Sequence, residues 1–98
     1  MLETLTAEDF VPLIGQVVRF DQPDYQEALT VSEVIVIAAD PPAGVRRGFI
    51  VVLEGSNPAM MISQGMYSFE LGALGRYELL ANCIGPGANG FRYQIVFG

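Results

Sequence analysis

The sequence predicts a mainly β protein: an antiparallel six-stranded meander wrapped into a small, partly closed barrel, with one short N-terminal helix. Three observations carry that expectation. From Gln16 onward, large apolar residues recur at every second position, the period of a strand with one buried face. The segments so defined are separated by Gly-, Pro- and Asn-rich stretches too short for helical crossovers, so neighbouring strands run antiparallel. Of the 98 residues, 51% are hydrophobic and only 16% charged, and an open sheet would leave that much apolar character on bare edges. A β-sandwich is the alternative way to cover it. The length admits one domain, residues 1–98, with a single core.

The one helical signal is at the start. Thr6 suits an N-cap, Glu8 and Asp9 suit the positive end of the helix dipole, and Phe10, Leu13 and Ile14 fall on one face. Thr6-x-x-Asp9 approximates a capping box, with Asp for the usual Glu or Gln. Pro12 and Gly15 limit the helix to two or three turns. The first strand is Val17–Phe20, ended by the turn cluster Asp21-Gln22-Pro23-Asp24. A long second strand covers Glu27–Ala38. Leu29 and Val31 cannot share one face with Val34 and Val36, so the alternation slips near Ser32-Glu33 and predicts a bulge there.

Asp40-Pro41-Pro42-Ala43-Gly44 closes that strand. The third strand, Arg47–Glu54, carries Phe49, Val51 and Leu53 on one face and Ile50 and Val52 on the other, so both sides are expected to be covered. Met66–Leu71, Arg76–Ile84 and Phe91–Phe97 complete the set. Gly72–Gly75 and Gly85–Gly90 are the turns between them. The aromatics Phe49, Tyr67, Phe69, Tyr77, Phe91, Tyr93 and Phe97 fall at inward positions and are expected to form the core.

Composition excludes several function classes. The net charge is −6, from eleven acids and five arginines with no lysine, which is the wrong sign for a phosphate-backbone partner. Arg46-Arg47 is the only basic pair and reads as a solvated strand entry. The longest purely apolar run, Val34–Ala39, is far too short to span a membrane. The opening Met1-Leu2-Glu3-Thr4 lacks the features of a signal peptide, so a cytoplasmic protein is expected.

Catalytic equipment is scarce. The chain contains no histidine, the commonest general base and metal ligand. Cys83 is the only cysteine, so it can form no intrachain disulfide or zinc set, and it reads as a small buried hydrophobe. Asp21, Asp24 and Glu27 cluster around a turn but lack the spacing of a calcium loop. Glu70 and Glu78 could face each other across Gly72–Gly75, yet both sit at outward positions, where carboxylates are not tuned for acid–base work. A strand follows Gly85–Gly90, so it is a hairpin turn and not a phosphate loop. No enzyme, metal or cofactor is therefore expected. Ala59-Met60-Met61-Ile62 stands apart: it is uncharged, follows the Asn57-Pro58 break, and has no alternation to bury all three large residues. Met60, Met61 and Ile62 are the candidate partner contact, because methionines adapt to irregular surfaces. A loop folded back over the barrel end is the competing reading.

The signals Leu5-Thr6-Ala7-Glu8-Asp9-Phe10 with Leu13 and Gly15, Gln64-Gly65-x-Tyr67, Leu74-Gly75, Glu78-Leu79 and Tyr93-Gln94-Ile95-Val96-Phe97 follow one another along nearly the whole chain. In that order they resemble a family of short bacterial proteins of uncharacterised function, loosely associated with phage-tail or collar-like genes. The sequence departs from the pattern at Cys83, where proline is expected, and at Met60-Met61-Ile62, which is more apolar. The resemblance implies a β-rich domain without known catalytic residues. Its motifs read as cap, turn and core. The function expected is a non-enzymatic protein-interaction or assembly module that self-associates or docks on a partner protein, with an accessory of a phage-tail-like or appendage particle as one form. A small-ligand-binding barrel lined by the aromatics is the alternative.

Overall fold

The computed structural model describes residues 5–22, 25–37 and 48–97. Six antiparallel strands close into a barrel in the order β1-β2-β3-β6-β5-β4. They are β1 (Val17–Gln22), β2 (Tyr25–Val36), β3 (Phe49–Glu54), β4 (Gly65–Glu70), β5 (Arg76–Pro86) and β6 (Phe91–Phe97). The mainly β class and the barrel agree with the sequence reading. Two details differ: the barrel is closed rather than partly closed, and the order is not a simple meander. Strands β1–β3 and β4–β6 are each a meander, but β3 pairs with β6 and β1 with β4. The residues between Glu54 and Gly65 therefore cross one end of the barrel instead of making a hairpin. Closure removes every sheet edge, which a chain so rich in apolar strands requires.

Each half carries one register break in its middle strand. The break in β2 falls between Val31 and Glu33, where the sequence predicted it. The second, between Cys83 and Gly85 in β5, was not foreseen. Gly85 has φ +131°, a conformation that L side chains rarely adopt, and it lets β5 bend and run on to Pro86. The first hairpin is also longer than expected, because Asp21 and Gln22 pair with Gln26 and Tyr25. The Asp40–Gly44 turn and the Arg46-Arg47 pair lie outside the described residues, as does Asp24 of the proposed acidic cluster.

The N-terminal helix α1 (Ala7–Phe10) is a single turn, followed by a 3₁₀ turn at Val11–Leu13. Pro12 ends the α-helical ladder because it has no N–H to donate and its ring clashes with the preceding turn. The capping reading holds on one arm: the Thr6 N–H donates to the Asp9 carboxylate at 2.9 Å. Ile14, expected on the buried face with Phe10 and Leu13, is 44% exposed, because the 3₁₀ turn rotates it outward. Phe10 plugs this end of the barrel. Its ring lies 5.7 Å from Phe49 and 5.3 Å from Phe97, which stack on each other at 4.5 Å. Such ring pairs add roughly 0.5–1.5 kcal/mol beyond the area they bury.

The interior is a single cluster in which Val18, Phe20, Leu29, Val31, Val51, Leu53, Phe69, Leu79, Ala81, Tyr93 and Ile95 join the plug residues. These are the alternate positions of all six strands. Tyr67, Tyr77 and Phe91, expected in the core, pack against it only partly buried; Tyr77 and Phe91 stand at the starts of their strands, and the Tyr67 hydroxyl reaches out to the Ser63 carbonyl. The β1–β4 seam closes the ring through Phe20 and Phe69, which are paired in register with ring centroids 5.8 Å apart.

Candidate functional site

The crossover from β3 to β4 covers the barrel end opposite Phe10. Its path follows from local chemistry. Asn57 accepts the Ala59 N–H on its side-chain oxygen at 2.9 Å, an Asx turn that suits the bend at Pro58. The Ser56 hydroxyl donates to the Ala28 carbonyl at 3.2 Å, fastening the segment to β2. At Gly90 a Cβ would stand 2.9 Å from the Asn57 nitrogen and the Gly55 carbonyl oxygen, so only glycine lets the β5–β6 turn lie this close. Farther along, the Ile62 N–H donates to the buried Tyr93 hydroxyl at 3.0 Å, and the Tyr67 hydroxyl donates to the Ser63 carbonyl at 2.6 Å.

These bonds divide the predicted contact trio. Ile62 is 8% exposed and belongs to the core, as the folded-back reading required. Met60 and Met61 lie between the fastened points and are 48% and 56% exposed. Beside them, Pro58, Pro86, Phe91 and the turn Gly87–Gly90 line an open groove of about 460 Å³. No titratable side chain lines it.

The other candidates dissolve into structure. Glu70 does not face Glu78. It is opposite Arg76, which it meets at 3.1 Å, while Glu78 is opposite Ser68. The turn shifts the register by two residues from the arrangement a dyad would need. Cys83 is half-buried rather than buried, with its thiol 3.9 Å from the Gly85 carbonyl in the β5 bulge. Among the described residues no three Asp, Glu or Cys side chains are grouped as metal ligands. Glu54 and Arg92 pair at 2.7 Å at the edge of the crossover end, where the same carboxylate would contact a Cβ placed at Gly87. That pair holds a turn and touches no cavity chemistry.

A second surface went unseen in the sequence. On the outer wall, Ile35 pairs with Ile50, Ile50 with Val96, and Met66 with Leu80. Leu80 and Val96 stand one step beyond the Ala81–Ile95 pair, on the same outer face. Five aliphatic side chains from five strands thus form one continuous row. Ile35, Val96, Leu80 and Met66 are 41%, 51%, 48% and 57% exposed. The next outward positions along the strands are mixed: Glu33, Gln94 and Asn82 with the buried Val52 on one side, Glu78 and Ser68 with the exposed Ile37 on the other. The signal was present as apolar residues at polar-face parity, but only the register joins them.

A family model described as Domain of unknown function (DUF6916) matches residues 5–97. The chain belongs to that family. The match covers the helix and all six strands. No curated protein and no solved structure matches the chain. No described helix is long and apolar enough to cross a membrane.

Proposed function

We propose that this domain is a non-enzymatic protein-interaction or assembly module. The observation that carries the reading is the continuous row Ile35, Ile50, Val96, Leu80 and Met66 on the outer wall. Single exposed aliphatics are ordinary, whereas a contiguous apolar patch on a water-facing sheet costs solubility and is characteristic of contact surfaces. The exposed Met60-Met61 lip is a second, more adaptable contact element. The alternative of a small-ligand barrel is less well supported, because the described inward positions are filled by packed side chains such as Tyr93, Phe69 and Leu29. A cytoplasmic location is part of the proposal. So is the finer reading of a phage-tail-like or appendage accessory, which rests on the gene association of the resembling bacterial family and on no residue of this chain.

The test is site-specific photo-crosslinking in cells that express the protein. A photoreactive residue at Val96 or Met61 is expected to give discrete protein adducts, and one at exposed Ala73 or Glu8 is not. Equal labelling at all four positions, or a native protein isolated with a stoichiometric small molecule in its interior, would overturn the reading.

A further inference from the structure

The chain has three asparagines, Asn57, Asn82 and Asn89, and the fold treats them differently. An asparagine can lose its side-chain amide without an enzyme, when the backbone nitrogen of the next residue attacks its carboxamide carbon. The two atoms belong to adjacent residues, so the reaction is intramolecular and gains from proximity. It needs a following N–H that is unbonded and unshielded, and an asparagine whose backbone can rotate.

Asn57 fails the first condition, because Pro58 has no N–H. Its side-chain oxygen is also occupied by the Ala59 N–H at 2.9 Å. Asn82 fails both: it lies in β5 paired with Gln94 of β6, and the Cβ of Cys83 shields the next nitrogen. Asn89 meets both. It is exposed in the turn between β5 and β6, and Gly90 after it has no Cβ beside its nitrogen. Among the described residues, neither the Asn89 carboxamide nor the Gly90 N–H makes a hydrogen bond. Water has access, because Asn89 lines the open groove with Pro58, Pro86 and Phe91.

The surroundings give the change two effects. No titratable side chain lines the groove, so a carboxylate at residue 89 puts a charge into it. The effect on the backbone is larger. In the isoaspartyl form the chain runs through the former side chain and gains one carbon between residues 89 and 90. The turn has no slack for it. The Gly87 N–H donates to the Gly90 carbonyl at 2.7 Å, and a Cβ at Gly90 would stand 2.9 Å from the Asn57 nitrogen and the Gly55 carbonyl oxygen. The Gly55 N–H donates in turn to the Phe91 carbonyl at 2.7 Å. The added carbon therefore strains the contact that seats the crossover on this turn.

We infer that Asn89 is a site of spontaneous deamidation, whose isoaspartyl product charges the groove and loosens the crossover over the barrel end. The Gly90 nitrogen bonds to the Asn89 Cγ, the Cγ–Nδ2 bond breaks, and the nitrogen's proton departs with the amide as ammonia. Water then adds to either carbonyl of the succinimide, giving an aspartyl or an isoaspartyl residue. Solvent is the only co-reactant. The inference needs no partner and stands apart from the interaction reading.

The experiment ages the intact protein for weeks in warm, mildly alkaline buffer, natively and in parallel in urea. Peptide mass spectrometry follows the replacement of amide by acid at each asparagine. Native Asn89 is expected to react within about tenfold of its rate in urea, because an exposed turn opens at little cost. Asn57 and Asn82 stay amides over the same time. An isoaspartyl methyltransferase labels Asn89 alone, and amide exchange at Gly55 and Ile62 accelerates in the aged fraction. Asn89→Gln stays unmodified and keeps the parent's exchange. Fresh Asn89→Asp, which has the charge without the extra carbon, keeps it too. An Asn89 that reacts in urea but stays an amide in the native protein would overturn the inference. So would native reaction as fast at Asn82, or an isoaspartyl fraction whose Gly55 and Ile62 exchange matches the parent. Equal acceleration in fresh Asn89→Asp would overturn the argument from the added carbon.

Discussion

Replacing Tyr93 by phenylalanine keeps the ring in the core and removes one oxygen. That oxygen accepts the Ile62 N–H at 3.0 Å where the crossover turns into the barrel, and Tyr93 is 1% exposed. No methylene is lost, so the effect comes chiefly from the polar contacts of that hydroxyl. A buried donor deprived of its acceptor costs about 1–3 kcal/mol. In a domain of this size each kcal/mol moves the melting temperature by about 4–8 °C, so Tyr93→Phe is expected to lower it by roughly 5–20 °C. Urea titration reads the same loss as a shifted midpoint at unchanged slope. Amide exchange at Ile62 locates it: the N–H turns to water by opening the crossover, so its exchange accelerates more than that of Val51 or Ile95 in the wall. A melting temperature within 2 °C of the parent, with Ile62 exchange unchanged, would refute the claim that this bond holds the crossover in place.

At the opposite end, Phe10→Ala removes the plug from against Phe49 and Phe97. The expected cost is about 3–5 kcal/mol, a large share of the roughly 5–15 kcal/mol a domain possesses, and urea titration checks it. Gly90→Ala places a methyl 2.9 Å from the Asn57 nitrogen and the Gly55 carbonyl oxygen. Both are backbone atoms with little freedom to yield, so a loss of about 1–3 kcal/mol is expected in thermal melts, with chemical-shift changes confined to residues 55–64 and 86–91.

Much of the barrel could be read from local signals. The alternation of Tyr67, Phe69 and Leu71, or of Tyr93, Ile95 and Phe97, fixes which side of a strand is wet, because a pleat allows only two sides. The Ser32-Glu33 slip was legible for the same reason: an apolar pattern that changes parity needs an extra residue. The Cys83–Gly85 break left no such trace, since β5 keeps Tyr77, Leu79 and Ala81 in phase up to Cys83 and the irregularity begins only at Ile84. Ile14 was misplaced because a helical wheel assumes 100° per residue, and the 3₁₀ turn after Phe10 does not keep it. The candidate site was half legible. Composition singled out Ala59–Ile62, but the separation of Ile62 from Met60 and Met61 depends on Tyr93, thirty-one residues away.

What the sequence determined alone is therefore whatever a residue shares with its near neighbours: the strands, most of their inward faces, the capped first turn, the first bulge, and the poverty of catalytic groups. The tertiary structure decided the joining of β3 to β6 and β1 to β4, the closure of the ring, and the alignment of Ile35, Ile50, Val96, Leu80 and Met66 into one row. Those are matters of register between strands far apart in the chain. Register is set by which set of buried side chains packs together with the least void, and no local spacing carries that information.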